Sequence, residues 1–360
     1  MSLSSREPLA RLGFDSFFDQ HFTSHTALGL VPGRVVAEHR GATIVATEHG
    51  EHAAELAGRL WHTTDARADL PAVGDWVALR LHEGARAVIH AVLPRRSAFL
   101  RGVAGGVTEA QVVAANVDVV LVVLAATDLS ARRVVRYLAL AHASRVEPVV
   151  VVTKCDVDVG AEERARAAMG AVDGVPLHTV SGRTGDRVHE LAGYFAGNRT
   201  IALLGSSGAG KSTLANRLLG AELQRVSHVA ADGRGRHTTT TRQLVARPGG
   251  GLVLDTPGMR ELRLWDAGDA RGGLEDAFTD IAELAARCAF RDCRHDGEPG
   301  CAIAAALEDE RLDALRWSSY LKLDRELVAL AVRQDARKHA ERKRALKVIA
   351  RARRARPPKG

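Results

Sequence analysis

Nine consecutive residues, Gly205–Thr213 (GSSGAGKST), have the types and spacing needed to bind a phosphate chain. They satisfy the pattern G-x-x-x-x-G-K-[S/T], whose glycines let backbone N–H groups converge on phosphate oxygens. We expect Lys211 to bridge the β- and γ-phosphates during catalysis and Ser212 to bind Mg²⁺ through its hydroxyl. A glycine-rich turn is the alternative, but the apolar strand before it and the helix after it favour a phosphate loop. The expected nucleotide contacts in this loop are Gly205, Ser206, Ser207, Gly208, Ala209, Gly210, Lys211, Ser212 and Thr213.

A second motif, Asp255–Gly258 (DTPG), ends the apolar run GLVL, 44 residues after Lys211. In a phosphate-loop enzyme, a carboxylate at the end of such a strand associates with Mg²⁺. We therefore expect Asp255 to lie near the metal and the backbone N–H of Gly258 to donate to the γ-phosphate. Asp-Thr-Pro-Gly is also a good turn sequence, so the interpretation depends on its place downstream of the phosphate loop.

Base selection is predicted at TKCD, Thr153–Asp156, which follows the apolar run EPVVVV. A carboxylate there accepts hydrogen bonds from guanine N1–H and N2–H₂, whereas adenine presents the opposite pattern, so Asp156 would select GTP over ATP. We expect the stem of Lys154 to cover the base or to brace the phosphate loop. The short segment VSG, with Ser181 at its centre, could present a backbone N–H to the guanine carbonyl.

A third cluster has the residue types of a metal site, in the order Cys288-x4-Cys293-x-His295-x5-Cys301. Three thiolates and one imidazole form a usual four-ligand set for structural Zn²⁺, with no open position for catalysis. Ordinary buried cysteines are the alternative, but they would not explain His295 or the Gly and Pro residues between the ligands. With four cysteines in 360 residues, a disulfide scaffold is excluded.

The elements that must position these motifs fall into three parts. From Gly33 to about Phe99, short alternating apolar runs predict an all-β module of the size of a five-stranded oligonucleotide-binding barrel; a barrel that only packs against its neighbour is the alternative. From about residue 112, strand and helix patterns alternate, which predicts a parallel α/β sheet, with an antiparallel hairpin at RQLVARP and GGLVLDTPG. Past residue 276 the pattern is helical around the cysteines.

Charge is concentrated at the end of the chain. The net charge is +7, but the last 25 residues contain eleven Lys or Arg and one acid, Glu341. This basic tail could form a helix on the phosphates of a polyanionic partner, or it could be a solvated face. With 46% apolar residues but no run long enough to span a membrane, and no basic and apolar leader, we expect a globular cytoplasmic protein.

The motif order is base motif, phosphate loop and DTPG, which resembles a circularly permuted GTPase. With the barrel before it and the Cys/His cluster after it, the chain resembles the ribosome-small-subunit-dependent GTPase A family, bacterial assembly factors of the 30S subunit, over roughly residues 33–305. The resemblance implies that the metal ligands are those of the family. The segment DGRGRHTTTTR, residues 232–242, is interpreted as a switch loop from its place between the phosphate loop and DTPG, with a solvated loop as the alternative. One threonine of Thr238–Thr241 should ligate Mg²⁺, and the resemblance implies Thr240 or Thr239.

Two positions depart from the commonest GTPase patterns. Thr153 replaces the usual Asn of Asn-Lys-x-Asp and has a shorter reach, which predicts looser guanine specificity. Met259 stands where many GTPases have a water-orienting Gln, and it cannot position water by hydrogen bonding, so slow intrinsic turnover is expected. The resemblance implies a hydrophobic residue at this position. His237 is the candidate for orienting water once a partner fixes the loop, with Arg234 and Arg236 as alternatives for charge stabilisation or RNA contact.

The sequence therefore predicts an α/β phosphate-loop GTPase domain, circularly permuted, with an N-terminal barrel and a C-terminal helical zinc-binding domain. The expected partners are the 30S subunit with its 16S rRNA, and GTP or GDP, for a monomer that does not bind membranes. A slow GTP-sensing RNA-binding protein and an ATP-dependent kinase are the rival functions. The predicted divisions are an extension at 1–33, an RNA-binding barrel at 34–99, the GTPase domain at 100–275, and the zinc-binding domain with its basic tail at 276–360.

Overall fold

The computed structural model describes residues 7–39, 42–58, 60, 67–82, 86–102, 110–158, 160–169, 174–220, 242–255, 270–329 and 332. Two short helices come first, α1 (Glu7–Arg11) and α2 (Ser16–Thr26). The Asp15 carboxylate caps α2 by accepting from the backbone N–H groups of Phe17 and Phe18. Because Phe18 and Phe22 are four residues apart in α2, they share one buried face, and Phe14, just before the helix, packs with them around Trp76.

Five strands then close a small barrel. Neighbouring strands pair antiparallel, except that the third and fifth are parallel, and the first strand also pairs with the fourth, which completes the circuit. This arrangement confirms the predicted barrel of the oligonucleotide-binding type. The strands are β1 (Val31–His39), β2 (Ala42–Thr47), β3 (Gly50–Leu56), β4 (Trp76–Arg80) and β5 (Ala87–Val92).

An α/β sheet follows, in the order β10-β9-β8-β11-β13-β12. Its strands are parallel except β12, which forms the predicted antiparallel hairpin with β13. The hairpin of β6 and β7, which precedes the sheet, was not predicted from the sequence. The strands are β6 (Ala98–Gly102), β7 (Ala110–Ala115), β8 (Val119–Ala125), β9 (Glu147–Thr153), β10 (Leu177–Thr179), β11 (Thr200–Leu204), β12 (Arg242–Ala246) and β13 (Leu252–Asp255).

The position of β8 at the centre of the sheet explains why its sequence is apolar throughout. Val119, Leu121 and Val123 lie in a core cluster on one face of the sheet, and the alternate residues lie in the cluster on the other face. Helices cover both faces, so every side chain of this strand is buried. The covering elements are α3 (Ala131–Ala143), α4 (Ala161–Met169), a 3₁₀ helix (Val188–Asn198) and α5 (Lys211–Leu219).

The C-terminal part is helical where it is described. Its helices are α6 (Ala270–Ala277), α7 (Thr279–Ala285), α8 (Ala302–Glu308) and α9 (314–329). Helix α6 packs closely on α3, because a Cβ added at Gly273 would lie 2.4 Å from the backbone nitrogen of Ala143. Among the described residues, no helix has the length and apolar character needed to span a bilayer.

The barrel and the α/β sheet are joined in two ways. Strand β1 pairs with β12 at Ala37↔Gln243, which makes one continuous eleven-stranded sheet. In addition, the buried guanidinium of Arg34 donates to the carbonyls of Leu12, Gly74 and Asn116, which belong to the lead-in, the barrel and the segment before β8. Burial lowers the pKa of Arg34 to about 10, so the side chain remains charged at neutral pH.

Candidate functional site

The phosphate loop connects β11 to α5, and its backbone conformation requires glycine. Gly205 has φ +157°, and a Cβ there would lie 2.2 Å from the carbonyl oxygen of Val123. Gly210 precedes α5 with φ +85°, and a Cβ there would lie 3.0 Å from Oγ1 of Thr153. The loop therefore wraps tightly between β8 and the end of β9, with the N-terminus of α5 at its open side.

Lys211 lies at the start of α5, and its ammonium reaches back over this loop. Its Nζ donates to the carbonyl oxygens of Gly205, at 2.7 Å, and Ser206, at 2.5 Å. The positive charge is thus held beside the backbone that would surround the phosphates. Ser212 is exposed in the first turn of the same helix, where its hydroxyl is accessible to a metal ion.

The DTPG motif begins at the same edge of the sheet. Strand β13 lies parallel to β11, with Ala202 paired to Leu254, and Asp255 is its last residue. Because parallel neighbours end at one edge, the backbone of Asp255 is placed next to the strand that leads into the phosphate loop.

The base motif follows β9, in which Thr153 is the final residue. Lys154 has φ +63°, a left-handed conformation that is uncommon outside glycine, and it turns the chain so that Asp156 follows in a short 3₁₀ helix. The Ser181 hydroxyl donates to Oδ1 of Asp156 at 2.7 Å. Arg183 donates to Oδ2 from both Nε, at 2.9 Å, and Nη2, at 2.7 Å.

These contacts keep the Asp156 carboxylate ionised. The hydrogen bond from Ser181, followed by those from Arg183, holds the pKa of Asp156 below its usual value. An ionised carboxylate has only acceptors, so it is suited to a base edge that carries N–H donors.

A cavity of about 330 Å³ lies beside this carboxylate. Its lining joins the base motif to the phosphate loop, so one ligand could contact both. The lining residues are Thr153, Lys154, Asp156, Val157, Gly182, Arg183, Gly210 and Thr213.

Thr153 connects the two motifs directly. Its side chain is buried, and Oγ1 lies 2.6 Å from the carbonyl oxygen of Ala209 in the phosphate loop and 3.1 Å from that of Leu124. Because one hydroxyl has one proton, the shorter contact to Ala209 is the stronger donor interaction. The Thr that replaces Asn therefore still ties the base motif to the phosphate loop.

The Cys/His cluster lies in the turns between α7 and α8. The candidate ligand atoms of Cys288, Cys293, His295 and Cys301 all lie within 4.8 Å of one another. Nδ1 of His295 is 3.5 Å from Sγ of both Cys288 and Cys301. Such spacing suits a single central ion with four ligands.

The surroundings of the cluster fix the ligand geometry. His295 has φ +61°, and its ring packs edge-on against Trp317 with centroids 5.9 Å apart. Glu298 accepts from the backbone N–H groups of Arg294, at 2.8 Å, and Asp296, at 2.7 Å, which shapes the turn around the histidine. Burial raises the pKa of Cys288, but hydrogen bonds from the backbone N–H groups of Ala302 and Ile303, together with those from the thiols of Cys293 and Cys301, leave the pKa lowered. The donors therefore fit a thiophilic metal ion such as zinc.

Comparisons with known proteins agree with this arrangement. A family model described as RsgA GTPase matches residues 92–265, and one described as 50S ribosome-binding GTPase matches residues 200–345. A protein of Opitutus terrae, named small ribosomal subunit biogenesis GTPase RsgA, is 46% identical over 91% of this chain and 92% of its own. A Streptomyces avermitilis protein of the same name is 42% identical over 95% of this chain and 91% of its own.

The chain belongs to the RsgA family of GTPases.

Solved structures agree with the RsgA assignment. YjeQ from Thermotoga maritima superposes with a TM-score of 0.63 at 27% identity, covering 83% of this chain and 99% of that chain. YloQ, a circularly permuted GTPase, superposes with a TM-score of 0.59 at 23% identity, covering 83% and 96%, and supports the fold. The predicted family and the permuted GTPase fold are thus confirmed. As an RsgA-family member the chain is a GTP hydrolase, and enzymes of this mechanism use Mg²⁺.

In this RsgA-family chain, the described structure brings Thr153, Lys154 and Asp156 to the same cavity as Gly210 and Thr213. The four cluster ligands also converge. His237, Thr240 and Gly258 lie outside the described residues, and only the backbone of Asp255 is described, so their roles remain predictions.

Sequence reasoning missed two arginines, one that contacts Asp156 of the base motif and one that contacts the segment after Ser181. Arg183 pairs with Asp156, and Arg217 of α5 donates to the carbonyls of Gly182, at 3.3 Å, and Arg183, at 2.6 Å. The signal available for Arg183 was its position directly after the Ser181–Gly182 pair. Arg217 gave no local signal, because it lies 35 residues from Gly182.

Proposed function

We propose that this RsgA-family chain is a cytoplasmic, monomeric GTPase that binds the 30S ribosomal subunit through 16S rRNA and acts in late maturation of that subunit. Relatives named small ribosomal subunit biogenesis GTPases align with more than nine-tenths of the chain, at 46% and 42% identity. The observation that carries the nucleotide part is the Asp156 carboxylate beside a cavity that reaches the phosphate loop at Gly210 and Thr213.

In the proposed site, Asp156 accepts from guanine N1–H and N2–H₂, while Ser181 keeps one carboxylate oxygen oriented. Lys211 exchanges its contacts with Gly205 and Ser206 for the β- and γ-phosphates, where its charge stabilises the transition state. Ser212, Asp255 and Thr240 would hold Mg²⁺, which neutralises charge on the phosphate oxygens when bound.

In the proposed reaction, a residue of the segment before β12 orients the water that attacks the γ-phosphate. Met259 has no group that hydrogen-bonds water, so intrinsic turnover is expected to be slow. His237 would orient the water once the 30S subunit has fixed the switch loop, and this is the proposed origin of stimulation by the subunit.

The outer parts are proposed to bind rRNA. The barrel at 34–99 and the C-terminal part at 276–360, with structural Zn²⁺ on Cys288, Cys293, His295 and Cys301, lie on either side of the GTPase domain in the sequence. Hydrolysis would change the affinity for the subunit and allow release. Support comes from the pairing of β1 with β12, since β12 begins at Arg242, the last residue of the predicted switch loop. Equal 30S affinity with GDP and with a non-hydrolysable GTP analogue would contradict this part.

The test is steady-state phosphate release from GTP and from ATP, each with and without purified 30S subunits, using zinc-replete protein. Lys211→Ala, purified in parallel, is the control for contaminating GTPases. We expect slow GTP turnover that the 30S subunit raises strongly, with little ATP turnover. If the 30S subunit did not stimulate GTP turnover, the rival function of a slow GTP sensor would be favoured. If ATP were turned over as fast as GTP, a kinase would be favoured and guanine selection would be overturned.

A further inference from the structure

Arg183 places on Asp156 the kind of donor pair that guanine would place there. Its Nε and Nη2 both donate to Oδ2 of Asp156, at 2.9 and 2.7 Å. These two N–H groups sit on an N–C–N fragment, as do N1–H and N2–H₂ of guanine. The side chain also lines the cavity beside the carboxylate. Arg183 therefore occupies the acceptor that an incoming guanine needs.

We propose that Arg183 is a built-in competitor of guanine, which holds the Asp156 carboxylate in the nucleotide-free protein and gives it up when the base enters. This inference rests on the proposed function, in which Asp156 binds guanine. Its consequence is a guanine nucleotide affinity below the value that the pocket would otherwise reach.

The two partners of Asp156 differ in their freedom to move. Ser181 is buried, and its hydroxyl oxygen also accepts from the backbone N–H of Thr184 at 3.1 Å, so its contact with Oδ1 is fixed. The side chain of Arg183 is 74% exposed, whereas that of Asp156 is only 13% exposed. An exposed arginine can rotate into solvent at small cost.

The backbone of this loop can stay in place when the arginine leaves. Arg217 lies in α5, the helix that follows the phosphate loop, and its guanidinium donates to the backbone carbonyls of Gly182 and Arg183. Release of Asp156 therefore requires side-chain rotation of Arg183 and no refolding of the loop. Adenine has an acceptor at N1, so it cannot replace the arginine's two donors on the carboxylate.

The experiment compares the dissociation constants of GDP and ADP for the wild type and for Arg183→Ala by titration calorimetry in Mg²⁺. We expect GDP to bind up to about fivefold more tightly to the variant, the range for an exposed ion pair, and ADP to show no such tightening. The direction is decisive, because loss of a positive charge near the pocket would by itself weaken the binding of an anion. Unchanged or weaker GDP binding would overturn the proposal.

Two controls separate competition from other effects. Arg166→Ala removes the same charge from an arginine that is 72% exposed and pairs with Glu162, and we expect no tightening. The second control is the Asp156→Asn variant, whose affinity for xanthosine diphosphate is measured. The ion pair with Arg183 no longer exists in this variant, so adding Arg183→Ala should not raise that affinity. An equal gain in that background would also overturn the proposal, because the effect would not pass through the carboxylate.

The proposed function and this inference fail in different ways. Wild-type protein that binds ADP as tightly as GDP would overturn guanine selection by Asp156. Guanine-selective binding by the wild type, with no higher GDP affinity in Arg183→Ala, would be consistent with the proposed function and would overturn only the role of Arg183 as a competitor.

Discussion

The nucleotide site and the Cys/His cluster are positioned by opposite means. The residues of the nucleotide site follow strands of a buried sheet, and β8 at its centre has no exposed side chain. The cluster lies in turns at 286–301, where most residues are exposed. The first site has a hydrophobic core that holds it without ligand, whereas the second has little apolar burial to order it. We therefore expect nucleotide to bind to a preformed site, and a metal ion bound by the cluster to stabilise the fold around it.

The largest expected effect is that of removing the metal. Structural zinc contributes on the order of 10 kcal/mol to the folding of small metal-bearing units, so Cys293→Ser should lose the metal and the amide protection of 286–301. Metal content and hydrogen exchange would be measured, with GDP affinity expected to stay within about twofold because the sheet is independently ordered. Cys155→Ser, which changes the cysteine outside the cluster, is the control and should retain the metal. Equal protection with and without metal would contradict the comparison.

The phosphate loop should be the most sensitive part of the nucleotide site. Gly205→Ala would place a Cβ 2.2 Å from the carbonyl of Val123, so the loop must shift. We expect a loss of GDP affinity on the order of 100-fold or more, measured by calorimetry, since the loop supplies most phosphate contacts at about 1.5–3 kcal/mol each. Gly208→Ala is the matched control, because a Cβ there meets nothing within 4 Å, and only the left-handed conformation costs about 1–2 kcal/mol. Equal losses in both variants would argue against a rigid preformed loop.

Base selection is expected to depend on a single carboxylate. Asp156→Asn should weaken GDP binding about 10- to 100-fold, as for hydrogen bonds to a charged group, and leave ADP binding nearly unchanged. Titration of both nucleotides tests this, with Asp158→Asn, whose side chain pairs with Arg164, as the control. If Asp156→Asn still preferred GDP over ADP, other residues of the pocket would have to select guanine.

The smallest expected effect comes from the contact between the base motif and the phosphate loop. Thr153→Val keeps the shape but removes the hydroxyl that donates to Ala209, which should cost about 1 kcal/mol and lower the melting temperature by about 1–2 °C. Thr153→Ser keeps the hydroxyl and should behave like the wild type. A Val variant of unchanged stability would mean that this contact does not order the site.

The parts of the molecule that sequence predicts well are those encoded by contiguous residues. The phosphate loop, the barrel and the Cys/His cluster each follow from local spacing. Long-range contacts were not predictable, because Arg34 reaches Asn116 across 82 positions and nothing in its neighbourhood in sequence marks it. The β6–β7 hairpin was also missed, since β7 merges with the apolar run of β8. Arg183 was also missed, because only the fold brings it to Asp156, which lies 27 positions earlier in the sequence.

The pairing of β1 with β12 has a consequence for how the protein unfolds. Strand β1 is shared, since it pairs with β2 and β4 in the barrel and with β12 of the α/β sheet. Barrel and sheet therefore cannot separate without breaking a common ladder and exposing the charged Arg34 at their junction. We expect the two modules to melt as one cooperative unit, with a single calorimetric transition, although each has its own topology.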